Sequence, residues 1–452
     1  MSQSFRIRKG ADIRLKGESD LKLAQTPNID VFAVKPPDFH GLVPKMVVKA
    51  GEMVKAGTTL FIDKYDARIK YASPVSGEVA EVVRGEKRRI LEVRIKSDGQ
   101  NQFESFTTVN PQTATREQVL TALLDAGIWP FIKQRPFSTV ADPADQPKSI
   151  HVSCFDSNPL GPDLDFAMKD MMDEFAMGLE ALKKLADGKP VNLGVREGST
   201  AFSSFSGVNS ISFSGPHPAG NVGVQIHKID PINKGEVVWY VNPQDVANIG
   251  RLFSAGKVDL KKVIAVGGSH IKQPQYYAVP MGANLGAILK DQLSGDNDRV
   301  ISGSVLSGTK IVADGYLGWG DQQITAIPEG DEPQFVLTNG WLGLGFDKFS
   351  LSRTFPTWLL PKSKKWDLNT NTNGEERAFV MTGQYEKVFP FDIYPVHLIK
   401  AIIVNDIDAM ENLGIYEVAP EDFALCEYGC TSKIAVQSLV RQGLDTIKEE
   451  CA

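Results

Sequence analysis

The chain has few of the residues that bind metals or form disulfides. Its 452 residues include only four cysteines and six histidines. So few cysteines cannot form a disulfide framework, and they are typical of a protein kept in a reducing cytoplasm. No two histidines are spaced four residues apart, which excludes the helical zinc motif H-E-x-x-H.

Long apolar runs and catalytic signatures are also missing. A membrane-spanning helix needs about 20 mostly apolar residues, and the best candidates, 120–132 and 397–404, are short and interrupted by charge. The first ten residues lack the apolar core of a secretory signal. The chain has no P-loop and no G-x-S-x-G, and a lone G-x-G at 343–345 is too little to predict a dinucleotide site. Any membrane association is therefore expected to come through partner subunits or a surface patch.

The net charge and the cysteine spacing limit which macromolecules and metals the chain is expected to bind. The formal net charge is -6, and a mildly acidic chain lacks the positive field that nucleic acids require, so we predict no nucleic-acid partner. Cys426 and Cys430 are the nearest approach to a metal motif, but an iron–sulfur cluster usually takes four thiolates. We interpret the pair as thiols without metal, with an ion shared between this chain and a partner protein as the alternative.

The patterns that are present change several times along the chain. Short strand-like segments separated by turn residues are typical of a small all-β unit, whereas alternating strand and helix patterns indicate an α/β layer. The predicted fold is a multidomain α+β or α/β protein. Its expected parts are an N-terminal segment with a carrier-like (barrel-sandwich) β domain over 1–100, a Rossmann-like α/β domain over 101–255, a β-grasp (SLBB-like) domain over 256–330, and a linker with a C-terminal helical domain over 331–452.

Three helices are predicted from apolar residues at helical spacing. The first covers 113–127, with Thr115 as a candidate N-cap and Gly127 as a candidate C-cap. A long helix is expected over 163–186. An amphipathic helix is expected over 433–447.

The β unit resembles a lipoyl or biotinyl carrier domain. Residues 48–57 follow the pattern V-x-x-G-x-x-V-x-x-G, and 72–79 (ASPVSGEV) supply the second half. Carriers bear their modified lysine on a hairpin between the halves, and the only candidate is Lys64. The bulky Tyr65 follows it and the surroundings do not match the carrier pattern, so we predict an unmodified domain used for docking, with a carrier protein as the alternative.

Six short segments, spread over most of the chain and in a fixed order, resemble one family. They are 7–13 (IRKGADI), 127–138 (GIW, then RPFS), 215–220 (GPHPAG), 300–308 (VISGSVLSG), 383–392 (GQYEKVFPFD) and 421–426 (EDFALC). No single segment is diagnostic, but the ordered set is similar to the A subunit of the bacterial Na+-translocating NADH:quinone reductase.

This resemblance implies a fold, partners and a location. The fold is related to the NADH-binding subunit of respiratory complex I and to the C subunit of the Rnf complex, but the α/β domain lacks the flavin and NADH motifs. The chain is expected to bind no cofactor itself, with NADH, flavins and Fe–S in partner subunits and quinone as the substrate of the complex. Its expected partners are the other subunits of a six-subunit Na+-exporting reductase, especially the B subunit in the membrane. It would lie peripherally on the cytoplasmic face of the bacterial inner membrane.

A quinone site is predicted from aromatic residues and donors. The ring needs an apolar, aromatic-lined cleft, and its carbonyl oxygens need one or two hydrogen-bond donors. Two prolines stiffen a loop that carries Trp129, Phe131, Arg135 and Phe137, and His217 lies between two further prolines, where it can donate to a quinone oxygen. The alternative is that both loops are structural. No catalytic residue is predicted, and an Rnf-type electron-transfer subunit or a purely structural docking subunit remain alternative functions.

Overall fold

The computed structural model describes residues 3–107, 109–202, 205–331, 345–353 and 355–451. Gly343 and Leu344 of the lone G-x-G lie outside the described residues. No helix in the described part of the chain has both the length and the apolar composition to cross a bilayer.

The described residues form twenty strands and eleven α-helices. The strands are β1 (Ser4–Arg6), β2 (Leu23–Ala24), β3 (Val31–Val34), β4 (Pro44–Met46), β5 (Met53–Val54), β6 (Thr59–Asp63), β7 (Lys70–Ala72), β8 (Gly77–Arg84), β9 (Ile90–Ser97), β10 (Lys133–Arg135), β11 (Thr139–Val140), β12 (Ile150–Ser153), β13 (Val191–Arg196), β14 (Asn209–Ser214), β15 (Val238–Tyr240), β16 (Lys261–Gly267), β17 (Gln275–Pro280), β18 (Asp298–Ser302), β19 (Thr309–Ile311) and β20 (Gln323–Pro328). The helices are α1 (Arg116–Asp125), α2 (Leu164–Ala167), α3 (Met172–Leu185), α4 (Val222–Ile229), α5 (Pro243–Ala255), α6 (Gly286–Leu289), α7 (Tyr385–Val388), α8 (Pro395–Ile403), α9 (Ile407–Asn412), α10 (Ala424–Tyr428) and α11 (Val436–Cys451).

Strands β3 to β9 build the N-terminal β unit from two small antiparallel sheets. One has the order β3-β9-β8-β5 and the other β4-β6-β7. Val79, Val93 and Ile95 point into the core and are fully buried. Lys64 lies on the exposed turn between β6 and β7, with its ammonium 5.8 Å from the centre of the Tyr65 ring.

A seven-stranded sheet forms the α/β layer, in the order β1-β14-β13-β12-β15-β10-β11. The five strands from β1 to β15 in this order run parallel, and β10 and β11 extend the sheet antiparallel. Helix α1 begins with the predicted Thr115 cap, whose hydroxyl accepts from the Gln118 amide while the Gln118 side chain accepts from the Thr115 amide. Gly127 follows the helix at φ 67°, a conformation that glycine adopts without strain.

The predicted long helix over 163–186 was wrong in its continuity. The structure divides it into α2 and α3, separated by a turn at 168–171. Asp163 caps α2, since its side chain accepts from the Phe166 amide. Helix α3 then begins with acidic residues in its own first turn. Apolar periodicity continues through the turn because its methionines are also buried, so the pattern alone hides the break.

The third sheet is mixed and has the order β19-β18-β20-β16-β17-β2. Its edge strand β2 comes from the N-terminal segment, which thereby joins two later sheets, because β1 pairs with β14 in the α/β layer. Helices α7 to α11 share a hydrophobic core with β14 of the α/β layer. The predicted amphipathic helix over 433–447 is seen as α11, which buries Val440, Leu444 and Ile447 on one face.

Candidate functional site

The order in which strands are added to the sheet of the α/β layer reverses between β12 and β15. Strands β13 and β14 are added on one side of β12, whereas β15 lies on its other side and runs parallel to it. In open α/β sheets, ligands bind in the crevice at the carboxyl ends of the strands, at such a switch point. This edge of the sheet is therefore where the topology favours a ligand.

A cleft of about 380 Å³ opens at this edge. We call it the switch-point cleft. Three parts of the chain line it, with Ser153, Phe155 and Tyr240 from the α/β layer, Ser304 and 320–323 from the mixed sheet, and Glu421 and Arg441 from the C-terminal helices. A cleft between three packed units is large enough for a small molecule and is the arrangement in which such sites usually form.

Lys133 on β10 lines the cleft, and it is the one charged residue of the site without a hydrogen bond or ion pair among the described residues. It lies directly opposite Tyr240 in the antiparallel pair, so both side chains are on the same face of the sheet. Burial lowers the pKa of Lys133, but Tyr240, Glu421 and other nearby carboxylates raise it by more. The ammonium is therefore charged at neutral pH.

The carboxylates along the cleft are already satisfied by donors. Asp156 accepts from the Asn158 amide at 2.7 Å, and Asp321 accepts from the Ser302 hydroxyl at 2.6 Å. Glu421 accepts from Arg135 at 2.8 Å. The sequence-based search missed Lys133, although its position two residues before Arg135 in a strand places both cations on one face.

Arg135 is fully buried beneath the cleft rather than exposed in it. Its Nη1 donates to Asp422 at 2.6 Å and to the Glu417 carbonyl at 3.1 Å, and its Nη2 donates to Glu421 at 2.8 Å. Burial raises the pKa of Asp422, and the neighbouring Arg135 partly offsets this rise, which leaves the pKa at about 6. This cluster ties β10 to the C-terminal helices.

Trp129 and Phe131 lie in the protein core. Trp129 has no exposed surface, donates its indole N–H to the Ala141 carbonyl at 2.8 Å and packs edge-to-face on Trp239 at 5.4 Å. Phe131 stacks on Trp319, with 5.5 Å between the ring centres. Both rings therefore fix the start of the loop to neighbouring sheets.

Phe137 is the most accessible of the predicted quinone residues. Its ring lies edge-on to Tyr416 at 6.5 Å, and the Lys448 ammonium lies 5.8 Å from its centre. Arg441 donates to the Phe137 carbonyl at 2.6 Å. Phe137 and Ser138 have φ of 79° and 52°, and consecutive residues in this strained region are a recurrent feature of functional loops.

His217 is buried behind the other wall of the cleft. Its Nδ1 lies 3.0 Å from the Ser157 hydroxyl, which also accepts from the Gly220 amide at 2.8 Å. Gly220 lines the cleft, so His217 fixes this wall without reaching the opening. Burial lowers the pKa of His217, and the contact with Ser157 partly offsets this, which leaves the pKa at about 4.

The buried imidazole predicts a loss of stability in acid. Because the pKa of His217 is lower in the folded state than in the unfolded chain, the unfolded state binds more protons as the pH falls from about 7.5 to about 5. Protonation of His217 in the unfolded chain should therefore lower the free energy of unfolding by about 2 kcal/mol over this range. Urea unfolding at both pH values should show a smaller loss for His217→Gln than for the native chain. The exposed His397→Gln is the control, and equal losses in all three proteins contradict the prediction.

Cys426 and Cys430 are both buried free thiols. Burial raises the pKa of the Cys426 thiol well above its usual range, so it is protonated at neutral pH. Among the described residues, no group of three or more His, Cys, Asp or Glu side chains is arranged to hold a metal ion.

Family models match three segments of the chain. They are the "NqrA N-terminal barrel-sandwich hybrid domain" over 5–98, the "NqrA second alpha/beta domain" over 114–258 and the "NQRA C-terminal domain", an SLBB-type model, over 263–313. These matches, with the cleft between three packed units, define a multidomain protein of barrel-sandwich, α/β and SLBB-type domains, as the sequence predicted.

Relatives match over nearly the full length. The chain is 38% identical to the A subunit of the Na(+)-translocating NADH-quinone reductase of Rhodopirellula baltica, with 98% of each chain covered. It is 37% identical to the protein of that name from Marinomonas sp., with 99% of this chain and 100% of that one covered. The chain belongs to the family of A subunits of Na(+)-translocating NADH-quinone reductases (NqrA), which confirms the resemblance seen in the sequence.

Solved structures give a weaker likeness. An NAD+-reducing [NiFe]-hydrogenase in the air-oxidised state matches with a TM-score of 0.38 and 12% identity, covering 73% of this chain and 64% of that one. A similarity at this level supports no functional argument.

Proposed function

We propose that the chain is the A subunit of a Na+-translocating NADH-quinone reductase and takes part in quinone reduction coupled to Na+ export. The observation that carries this proposal is the identity to named relatives over 98% of the chain. The assembled complex is the enzyme, a translocase, and this chain is one of its subunits. We assign no independent catalytic centre to it.

The same assignment gives the surroundings of the chain. It is a peripheral subunit at the cytoplasmic face of the bacterial inner membrane, in a six-subunit complex in which the membrane-bound B subunit is its main partner. NADH, flavins and Fe–S belong to partner subunits, and quinone is the substrate of the complex. Support comes from the relatives' shared name, which denotes one subunit of a larger reductase.

The proposed quinone contact is at Phe137. Its half-buried ring, with Tyr416 and the Lys448 ammonium beside it, offers an aromatic face and a donor at one place. Trp129, Phe131 and Arg135 act by holding this loop on the core. His217 acts by fixing the opposite wall of the switch-point cleft. Phe137 is therefore the contact residue, and the other four predicted residues support it.

Quinone titration tests this site. Purified, detergent-free protein is titrated with a short-chain quinone while tryptophan fluorescence is followed. We expect saturable quenching, reduced in amplitude by Trp129→Phe because this change removes the tryptophan nearest to Phe137 in the chain. Phe137→Ala should weaken binding about tenfold, since loss of an aromatic contact costs about 1.4 kcal/mol.

The control is Tyr394→Ala, which removes an exposed ring whose aromatic neighbour is His397. It should bind quinone like the native chain. Equal affinity in Phe137→Ala and the native protein would sink the Phe137 assignment.

A purely structural docking role is the second candidate function. The observation that favours it is the burial of four of the five predicted residues, which are between 0% and 2% exposed. Absence of saturable quenching in the native chain would favour this second role. The Rnf-type alternative gains no support, since the relatives reported above are all named as the A subunit of the Na+-translocating reductase.

A further inference from the structure

We propose that the switch-point cleft binds an aromatic compound that carries a phosphate group, and that Lys133 contacts the phosphate. This goes beyond the proposed function, because a quinone head group carries no phosphate. The quinone contact proposed at Phe137 uses a different side chain, although the next residue, Ser138, lines this cleft.

The absence of a direct contact to the Lys133 ammonium among the described residues is the first support. A buried or partly buried charge is costly unless it is paired. The cleft carboxylates of Asp156, Asp321 and Glu421 already accept hydrogen bonds from the protein. Lys133 alone of these groups has no hydrogen bond or ion pair among the described residues, so its N–H donors are available to an anionic ligand.

The direction of the lysine side chain is the second support. A Cβ placed on Gly320 would lie 3.5 Å from the Lys133 Nζ, with no other atom within 4 Å. The ammonium therefore points across the cleft towards a glycine loop that leaves open space in front of it. An anionic group can approach it there without displacing a side chain.

Hydroxyl groups in the lining of the cleft favour phosphate over a carboxylate. The Ser138 hydroxyl is buried with no hydrogen-bond partner among the described residues, and Ser304 and Ser307 also line the cleft. A phosphate offers three acceptor oxygens and so can use a cation together with several hydroxyl donors.

Aromatic residues provide the place for a ring. Phe155 follows β12 and Tyr240 ends β15, so the two rings flank the point where the strand order reverses. Together with Leu164 and Val222, they are the apolar and aromatic residues of the lining. A ring between them brings its phosphate towards Lys133, because Lys133 is the cross-strand neighbour of Tyr240.

Calorimetry with AMP, adenosine and inorganic phosphate tests the proposal on the full chain. We expect AMP to bind saturably and at least about tenfold more tightly than either part alone, since one charge-assisted contact contributes about that factor. Lys133→Met should weaken AMP about tenfold and bring it level with adenosine. Gly320→Val keeps the charge but fills the space before it, and it should also prevent binding.

Lys45→Met, an exposed strand lysine of the β unit, is the matched control and should bind AMP normally. Circular dichroism and melting temperature establish that the variants fold. No saturable heat at millimolar AMP, an unchanged affinity in Lys133→Met, or free phosphate binding as tightly as AMP would each overturn the proposal. Quinone quenching should persist in Lys133→Met, and AMP binding in Phe137→Ala, so failure of one site is distinguishable from failure of the other.

Discussion

Replacing Arg135 by methionine should destabilise the protein by about 3–5 kcal/mol, because it leaves the Asp422 carboxylate buried without its cation. The two groups have no exposed side-chain surface, and 2.6 Å separates Nη1 from Oδ2. Glu421 loses a donor in the same step. Urea unfolding at pH 8 measures the loss. The more exposed pair of Arg68 and Asp66 provides the control, since Arg68→Met should cost under about 1 kcal/mol.

The pH dependence distinguishes a lost ion pair from a cavity. Burial raises the pKa of Asp422 to about 6 with Arg135 present, and removal of the cation should raise it further. A carboxyl group with a raised pKa binds more protons in the folded state than in the unfolded chain, so stability falls as the pH rises towards the folded pKa. Arg135→Met should therefore regain stability when the pH is lowered from about 8 to about 6. A loss that is the same at both pH values would show that packing alone was affected.

A double variant completes the test. Arg135→Met combined with Asp422→Leu removes both charges, so its loss should be smaller than the sum of the two single losses. Additive losses would mean that the two side chains do not act as a pair.

Replacing Gly178 by alanine is the second change with a large expected effect. Gly178 on α3 and Gly250 on α5 lie where these helices pack closely, and a Cβ on either would overlap a backbone carbonyl of the other helix. The carbonyls belong to Val246 and Glu174 and cannot rotate away. The helices must move apart, and overpacking of this kind costs about 3 kcal/mol.

The higher helix propensity of alanine offsets only about 1 kcal/mol of that cost. Thermal and urea unfolding of Gly178→Ala measure the result. Gly320→Ala is the control because its new methyl group meets nothing closer than 3.5 Å. Native stability in Gly178→Ala would show that the two helices adjust without loss.

Much of the local structure could be predicted from the sequence. The Thr115 cap and the amphipathic face of α11 follow from residue types at fixed spacings, since capping and helical periodicity involve neighbours in the chain. The split between α2 and α3 could not be predicted because buried methionines at the turn continue the apolar pattern. The family was identifiable from six ordered segments, which depend on residue identity and order rather than on geometry.

The candidate site depended on contacts that sequence spacing does not encode. Arg135 and Asp422 are 287 residues apart in the chain, and no local pattern links them. The sequence by itself determined the family, the order of structural patterns and the local helix signals. Only the tertiary structure decided that four predicted quinone residues are buried and that Lys133 faces the cleft without a partner among the described residues, because burial and pairing arise when distant segments pack together.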